Sequence, residues 1–356
     1  MPRAQIIEAA RGIPKEIREV WLRLQQSNPA LASPYFSPEF TRIVAAARDD
    51  VAVAVVEDGG KVAAIFPFER RRWNLAGPVG SFISDYHGVI SLPDFVFDPR
   101  DLLRECGLVA WDFDHIPAAQ AAFVPFHREQ HRSPIINLPA GYEAYVKERR
   151  EAGTEQIKKN GNLMRRLERE VGPLRFVAHS PDKAILKTLM AWKTEQFRRT
   201  RWRDIFSIPW VRQTMEGIHV AQTPEFAGMF SLLYAGDKLL AAHFGMRSAT
   251  VWHYWFPAYD PAFSKYSPGV MLLLKMAESA STLGMNVIDL GCGEHSYKWR
   301  LMNGFVSTAK GSVELPGLTT AARRVVVPVK KILFHVRCWV SKTPIGAVAR
   351  RIRDQK

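Results

Sequence analysis

The sequence predicts a mixed α/β protein made of two tandem copies of one unit, followed by a basic C-terminal tail. Three observations carry that prediction. Segments resemble one another at a constant offset of 177 residues: Gly59 falls on Gly236, Lys61 on Lys238, Gly107 on Gly284 and Asp112 on Asp289. Short apolar runs bounded by turn residues alternate with helix-length stretches, so strands and helices interleave. At 356 residues, with 47% hydrophobic content and ten tryptophans, the chain has material for two ordinary cores.

Each copy reads helix, hairpin, strand, helix, strand. In the first, "FSPEF" (Phe36 to Phe40) marks the helix, "EDGGKVAAIFPF" (Glu57 to Phe68) a hairpin turning at Gly59, and "ECGLVAWDFD" the closing strand. Between the copies, 141–172 is rich in Lys, Arg and Glu with few apolar residues, so it is expected to be helical and to lie on the surface or line a cleft. That places the units at 1–140 and 141–320, with a tail at 321–356. The second copy repeats the order through "FSIPW" (Phe206 to Trp210), at an offset of 170, and the hairpin "YAGDKLLAAHFG" (Tyr234 to Gly245). A helix is expected from Pro268 to Leu283, with Ser267 as its N-cap, Pro268 at the first helical position and Gly284 as its stop. Gly269 leaves the first turn open to an anion such as a pyrophosphate.

Composition narrows the function. The three cysteines, Cys106, Cys292 and Cys338, are odd in number and far apart, which implies neither a disulfide framework nor a thiolate zinc site; no metal is expected. A cytoplasmic location follows, since the first residues lack the apolar core of a signal peptide and no run of 18 apolar residues occurs. The tail carries ten Lys and Arg against one acid, which is +9 of the net +14. Its interleaved apolar residues, Ile332, Leu333, Phe334, Val336 and Trp339, suit either an anionic membrane surface at the inner face or packing on the parent domain. The stretch "VIDLGCGE" (Val287 to Glu294) has the look of an S-adenosylmethionine loop. However, too few residues follow it, and they are broken by Pro316, Pro328 and Pro344, so the further βα units of that fold cannot be built.

Taken together, the hairpin "LLYAGDKLLAAHFG", the strand "VWHYWFPAYDP", "YSPGVMLLLKMAESASTLGM" and "VIDLGCGEHSYKWRLMNG" resemble the GCN5-related N-acetyltransferase (GNAT) superfamily. They are most similar to its branch of FemAB-like peptidoglycan ligases and CelD-type proteins linked to cellulose and exopolysaccharide synthesis. The first copy resembles that branch through "SPYFSPEF", "IFPFERR" and "GSFISDYHGVI". The resemblance implies two tandem GNAT-like domains and an N- or O-acyltransferase that uses acyl-CoA, acetyl-CoA first, without a covalent enzyme intermediate. The acceptor implied is an amine or hydroxyl of a polysaccharide or envelope precursor. Carried over, Ser267, Pro268, Gly269 and Val270 would hold the pyrophosphate, although the loop has one glycine where general acetyltransferases show two. Lys298, in "YKWRL" beside Tyr297, would meet the acyl carbonyl.

The chemistry needs a base for the attacking group and a donor for the developing oxyanion. Asp289, ending a buried strand, is the expected base, with a turn-capping role as its alternative; His243 in "LLAAHFG" is a second candidate base or a hydrogen-bonded core residue. Tyr254, Trp255 and Tyr259, with Asp85 and Tyr86 of "SDYHG", are expected to contact substrate. Two other readings stand: a non-catalytic accessory of polysaccharide assembly, and an aminoacyl-tRNA-dependent ligase, for which the positive charge is suitable.

Overall fold

A computed structural model describes residues 3–293, 295–321 and 323; apart from Ala321 and Arg323, the tail lies outside them. The first copy runs β1 (Arg3–Glu8), α1 (Lys15–Gln26), α2 (Pro38–Ala47), β2 (Val51–Asp58), β3 (Lys61–Arg71), β4 (Leu75–Gly77), β5 (Ile90–Ser91), α3 (Pro99–Glu105), β6 (Ala110–Pro117) and β7 (His127–Asn137). There follow α4 (Gly141–Glu151), α5 (Gln156–Glu170), β8 (Leu174–Val177), α6 (Lys183–Thr200), α7 (Pro209–Val220), β9 (Ala227–Ala235) and β10 (Lys238–Arg247). The chain then forms β11 (Val251–Tyr259), α8 (Pro268–Ala280), β12 (Val287–Asp289), α9 (Ser296–Leu301) and β13 (Gly304–Glu314). Both expected hairpins form, β2 with β3 and β9 with β10, because a turn glycine separates two alternating apolar runs.

All the strands share one sheet in the order β1-β2-β3-β4-β6-β13-β7-β12-β11-β10-β9-β8, with β5 pairing β3 outside that path. The order is symmetric about its centre. In each half an antiparallel hairpin leads to a parallel pair, β4 with β6 and β11 with β12. Each copy then lends its last strand to the other: β13 pairs β6, and β7 pairs β12. The copies are therefore joined by backbone hydrogen bonds as well as by side chains.

Three cores result. The central one lies between the halves, where α1, α2, α6 and α7 bury Trp21, Phe36, Phe40, Ile43, Met215 and Ile218 against Val53, Phe230 and Phe244. Each such side chain contributes about 1.5–3 kcal/mol by leaving water, and the indole of Trp21 is satisfied by donating to the Phe36 carbonyl at 2.7 Å. On the opposite face, α8 with α4 and α5 covers the second half, and α3 covers the first.

Two local expectations need correction. The linking segment is two helices rather than one, broken at Gly153, whose φ of 78° a helix cannot continue through. It is also anchored: Tyr145 is buried and donates to the Leu301 carbonyl at 2.6 Å, and Leu167 packs under α8. Ser267 does not cap α8. A 3-10 turn over Pro261–Tyr266, itself capped by Asp260, delivers the chain with Ser267 at φ 58°, and its side chain makes no capping bond. The far end is as expected, with Gly284 at φ 74° after a short 3-10 turn.

Candidate active site at the ends of the parallel strands

Strands β11 and β12 pair only at Val251–Val287, Trp252–Ile288 and His253–Asp289; β11 then runs on to Tyr259 while β12 ends. A gap opens between them. Because side chains alternate along β11, His253 and Trp255 face the central core, and Trp252 and Tyr254 face α8.

On the central face, fully buried His253 places Nε2 3.0 Å from Asp85 Oδ2 and 3.2 Å from the Tyr35 hydroxyl, and its Nδ1 3.8 Å from Asp289 Oδ1. Asp289 in turn accepts from the Gly291 amide at 2.8 Å and from Ser133 Oγ at 3.1 Å. Tyr86 is buried close to Asp289. Lys298, on α9, is 7% exposed and donates to the carbonyls of Gly291 and Cys292, each at 3.2 Å. An ammonium has three protons, so one remains to be offered to a ligand. Tyr35, Asp85, Tyr86 and Ser133 come from the first copy, and His253, Asp289 and Lys298 from the second. Neither copy alone makes this site.

The charges follow from burial and from one another. Burial alone would raise the Asp85 carboxyl, but the hydrogen bond and charge of His253, with His115 and Lys298 nearby, hold it below the ordinary carboxylate range. Burial lowers Lys298, against the opposing pull of Asp85, Asp289 and Cys292. Lys193 on α6 is pushed down to about 8 by burial and then by Lys298. Burial, then Asp85, pushes the Tyr35 hydroxyl well up, so it stays a neutral hydrogen-bonding group.

The sequence-derived candidates divide accordingly. Asp85, Asp289 and Lys298 come together. Trp255 borders them, its ring 6.0 Å from that of Tyr35. Tyr254 and Tyr297 lie instead on the α8 side of the gap, where burial raises both hydroxyls and Tyr254 donates to the Gly269 carbonyl at 3.4 Å. His243 is not placed as a base. Its Nε2 accepts the Trp255 amide hydrogen at 3.1 Å, its ring stacks on Tyr254 at 4.7 Å, and burial pushes it down to about 3. The role is structural: at the bulge opposite, a Cβ on Gly245 would stand 2.7 Å from this ring, so the glycine makes room for it. Asp289 likewise holds the turn after β12. In the first copy Asp112 sits at the matching place but faces outward, in ion pairs with Arg71 and Arg323.

At the α8 entry, Pro268 has no amide hydrogen and those of Val270 and Met271 both turn back to the Ser267 carbonyl. Among the described residues this leaves Gly269 as the one free donor of that turn, with the exposed Tyr259 ring beside it. The equivalent α3 entry is closed, because the Asp98 carboxylate already accepts from Arg100 N. No group of side chains able to hold a metal occurs among the described residues, and none of their helices is long and apolar enough to cross a membrane.

The unit with this open entry has a known family. Residues 156–299 match the acetyltransferase (GNAT) domain, so the second copy carries a GNAT-type domain. Over nearly the whole chain the fold is similar to FemX, with a TM-score of 0.62, 10% identity, and coverage of 90% of this chain and 99% of that one. It is also similar to the C-terminal domain of a putative lysylphosphatidylglycerol synthetase from Agrobacterium fabrum (TM-score 0.53, 11% identity, 88% and 96% covered). A conserved protein of unknown function from Bacteroides thetaiotaomicron is comparable (TM-score 0.54, 11% identity, 85% and 98% covered). No curated protein matches. The architecture is thus a duplicated GNAT fold of the FemX kind.

Proposed function

We propose that the protein transfers an acyl group from a thioester, acyl-CoA in the first instance, to an amine or hydroxyl of a polysaccharide or envelope precursor, at the gap between β11 and β12. The observation that carries this is the buried Lys298 ammonium, fixed by two carbonyls with a proton to spare beside the open parallel pair. In that position it donates to the thioester oxygen as negative charge develops, in a site where water is largely excluded. Asp85, held ionised, is the group that meets an incoming ammonium or hydroxyl and takes its proton. His253 and Asp289 position Asp85 and the turn after β12. On the other side of the gap, Tyr254, Tyr259 and Gly269 border the path of the pantetheine arm.

A panel of acyl-CoA donors tests this, by following free thiol with and without amine and hydroxyl acceptors. Acceptor-dependent thiol release is the expected result; no release with any donor rejects the thioester reading. One observation favours a second reading. A single free amide is a weak pyrophosphate cradle, and α5 exposes Lys159 and Arg165 beside the same entry. An aminoacyl ester carried on RNA would use such a basic helix, and transfer from charged tRNA with steep salt dependence would establish it.

A further inference from the structure

Cys292 occupies the turn after β12, between Gly291 and Gly293, and is half-buried. Its carbonyl is fixed by Lys298 at 3.2 Å. Its side chain meets the imidazole of His115, which reaches across from β6 of the first copy. The Nδ1 of His115 lies 3.3 Å from Asp114 Oδ1. That backbone is itself clamped: the buried His87 Nε2 accepts the amides of both Asp114 and His115 at 3.1 Å. Burial works against a charge on His115, yet Asp114 and Cys292 push it up to about 10. An imidazolium beside a cysteine favours the thiolate, which is the nucleophilic form.

We propose that Cys292, His115 and Asp114 form a nucleophile, acid–base and orienting group assembled between the two copies, and that the acyl group passes through a thioester on Cys292. This rests on the acyl-transfer reading and deepens it. In the first half-reaction the Cys292 thiolate attacks the donor carbonyl, a new C–S bond forms, and the oxygen takes the negative charge beside Lys298. Collapse breaks the donor C–S bond, and the leaving thiolate receives the His115 proton. The neutral imidazole then accepts a proton from the acceptor amine or hydroxyl as that group attacks the acyl-cysteine. The Cys292 thiolate departs, and the thiolate–imidazolium pair is restored. One thioester is consumed, one amide or ester and one free thiol are produced, and no oxidant or reductant is needed.

Two measurements on the full chain test this. In the first, iodoacetamide at neutral pH is followed by peptide mass spectrometry. Cys292 should be alkylated faster than a cysteine in an unfolded peptide, with Cys106, which is buried and pushed up to about 12, as the unreactive internal control. His115→Gln should slow Cys292 by at least tenfold, about 1.4 kcal/mol. A Cys292 no faster than the unfolded peptide, or unaffected by His115→Gln, overturns the assignment whatever the donor. In the second, brief exposure to the donor panel without acceptor should add one acyl mass to the Cys292 peptide, removable by hydroxylamine, and Cys292→Ala should lose both adduct and transfer. Thiol release with acceptor that persists undiminished in Cys292→Ala would keep acyl transfer and remove the covalent step.

Discussion

Replacing Gly291 by alanine should separate the two copies at the site, and its size can be worked from the geometry. Gly291 has φ +68°, and a Cβ there would stand 2.7 Å from Asp85 Oδ2 and 3.4 Å from His253 Cε1. The backbone conformation alone costs an L residue about 1–2 kcal/mol. The Asp85 oxygen must also retreat from the 3.0 Å contact it makes with His253 Nε2. Losing a hydrogen bond to a charged group costs about 1.5–3 kcal/mol, so Gly291→Ala should destabilise by about 2.5–5 kcal/mol. The assay is equilibrium urea unfolding of the wild type, Gly291→Ala, Asp85→Ala and the double variant. Asp85→Ala removes the clashing atom, so in that background Gly291→Ala should cost only its backbone share. The coupling energy should be about 1.5–3 kcal/mol. Equal costs for Gly291→Ala in both backgrounds would refute the clash and the contact it protects.

Lys298→Ala should lower turnover ~10²- to 10³-fold with little change in the Michaelis constant for the thioester, because the lost interaction belongs to the transition state; steady-state kinetics that show normal turnover remove Lys298 from the chemistry. Gly269→Asp puts a carboxylate at the free amide of the α8 entry, so CoA affinity should fall at least tenfold by calorimetry while the melting temperature of the free protein holds; unchanged affinity would move the donor elsewhere. The raised His115 stabilises the fold fully below its ordinary value of 6.5, and that contribution is lost as pH rises towards about 10. The stability difference between wild type and His115→Gln, read by urea unfolding, should therefore shrink from pH 6 to pH 10, and a difference that grows contradicts the His115 environment.

Much of the fold was legible because its signals are local. Gly59 and Gly236 each divide two alternating apolar runs, and Gly284 ends α8 in the left-handed conformation that glycine favours. The exchange of β7 and β13 was not, since pairing between distant strands leaves no mark at either one. "HREQHRSPIIN" is mostly exposed and polar along the part that pairs with β13. The site divides in the same way. Asp289, Lys298 and Asp85 stand in segments whose resemblance pointed to them. Tyr35, Ser133, His115 and Lys193 do not, and Tyr35 meets His253 across 218 residues of chain. His253 itself could have been found. Alternation along "VWHYWF" places it on one face with Trp255 and opposite Tyr254, so the segment's two polar-capable faces were never one surface. The Ser267-Pro268 pair read as a helix cap because that dipeptide usually is one; the preceding 3-10 turn, capped by Asp260, decided otherwise.

The central claim, that both copies build one acyl-transfer site at the open ends of β11 and β12, is tested most directly by a crystal structure with a non-reactive thioether analogue of an acyl-CoA. The account predicts the pantetheine arm between Tyr254 on β11 and the Gly291–Cys292 turn, its carbonyl within hydrogen-bonding distance of Lys298 Nζ and its pyrophosphate at the Gly269 amide. An analogue seated against α3 of the first copy, or one that leaves Lys298 untouched, would contradict it.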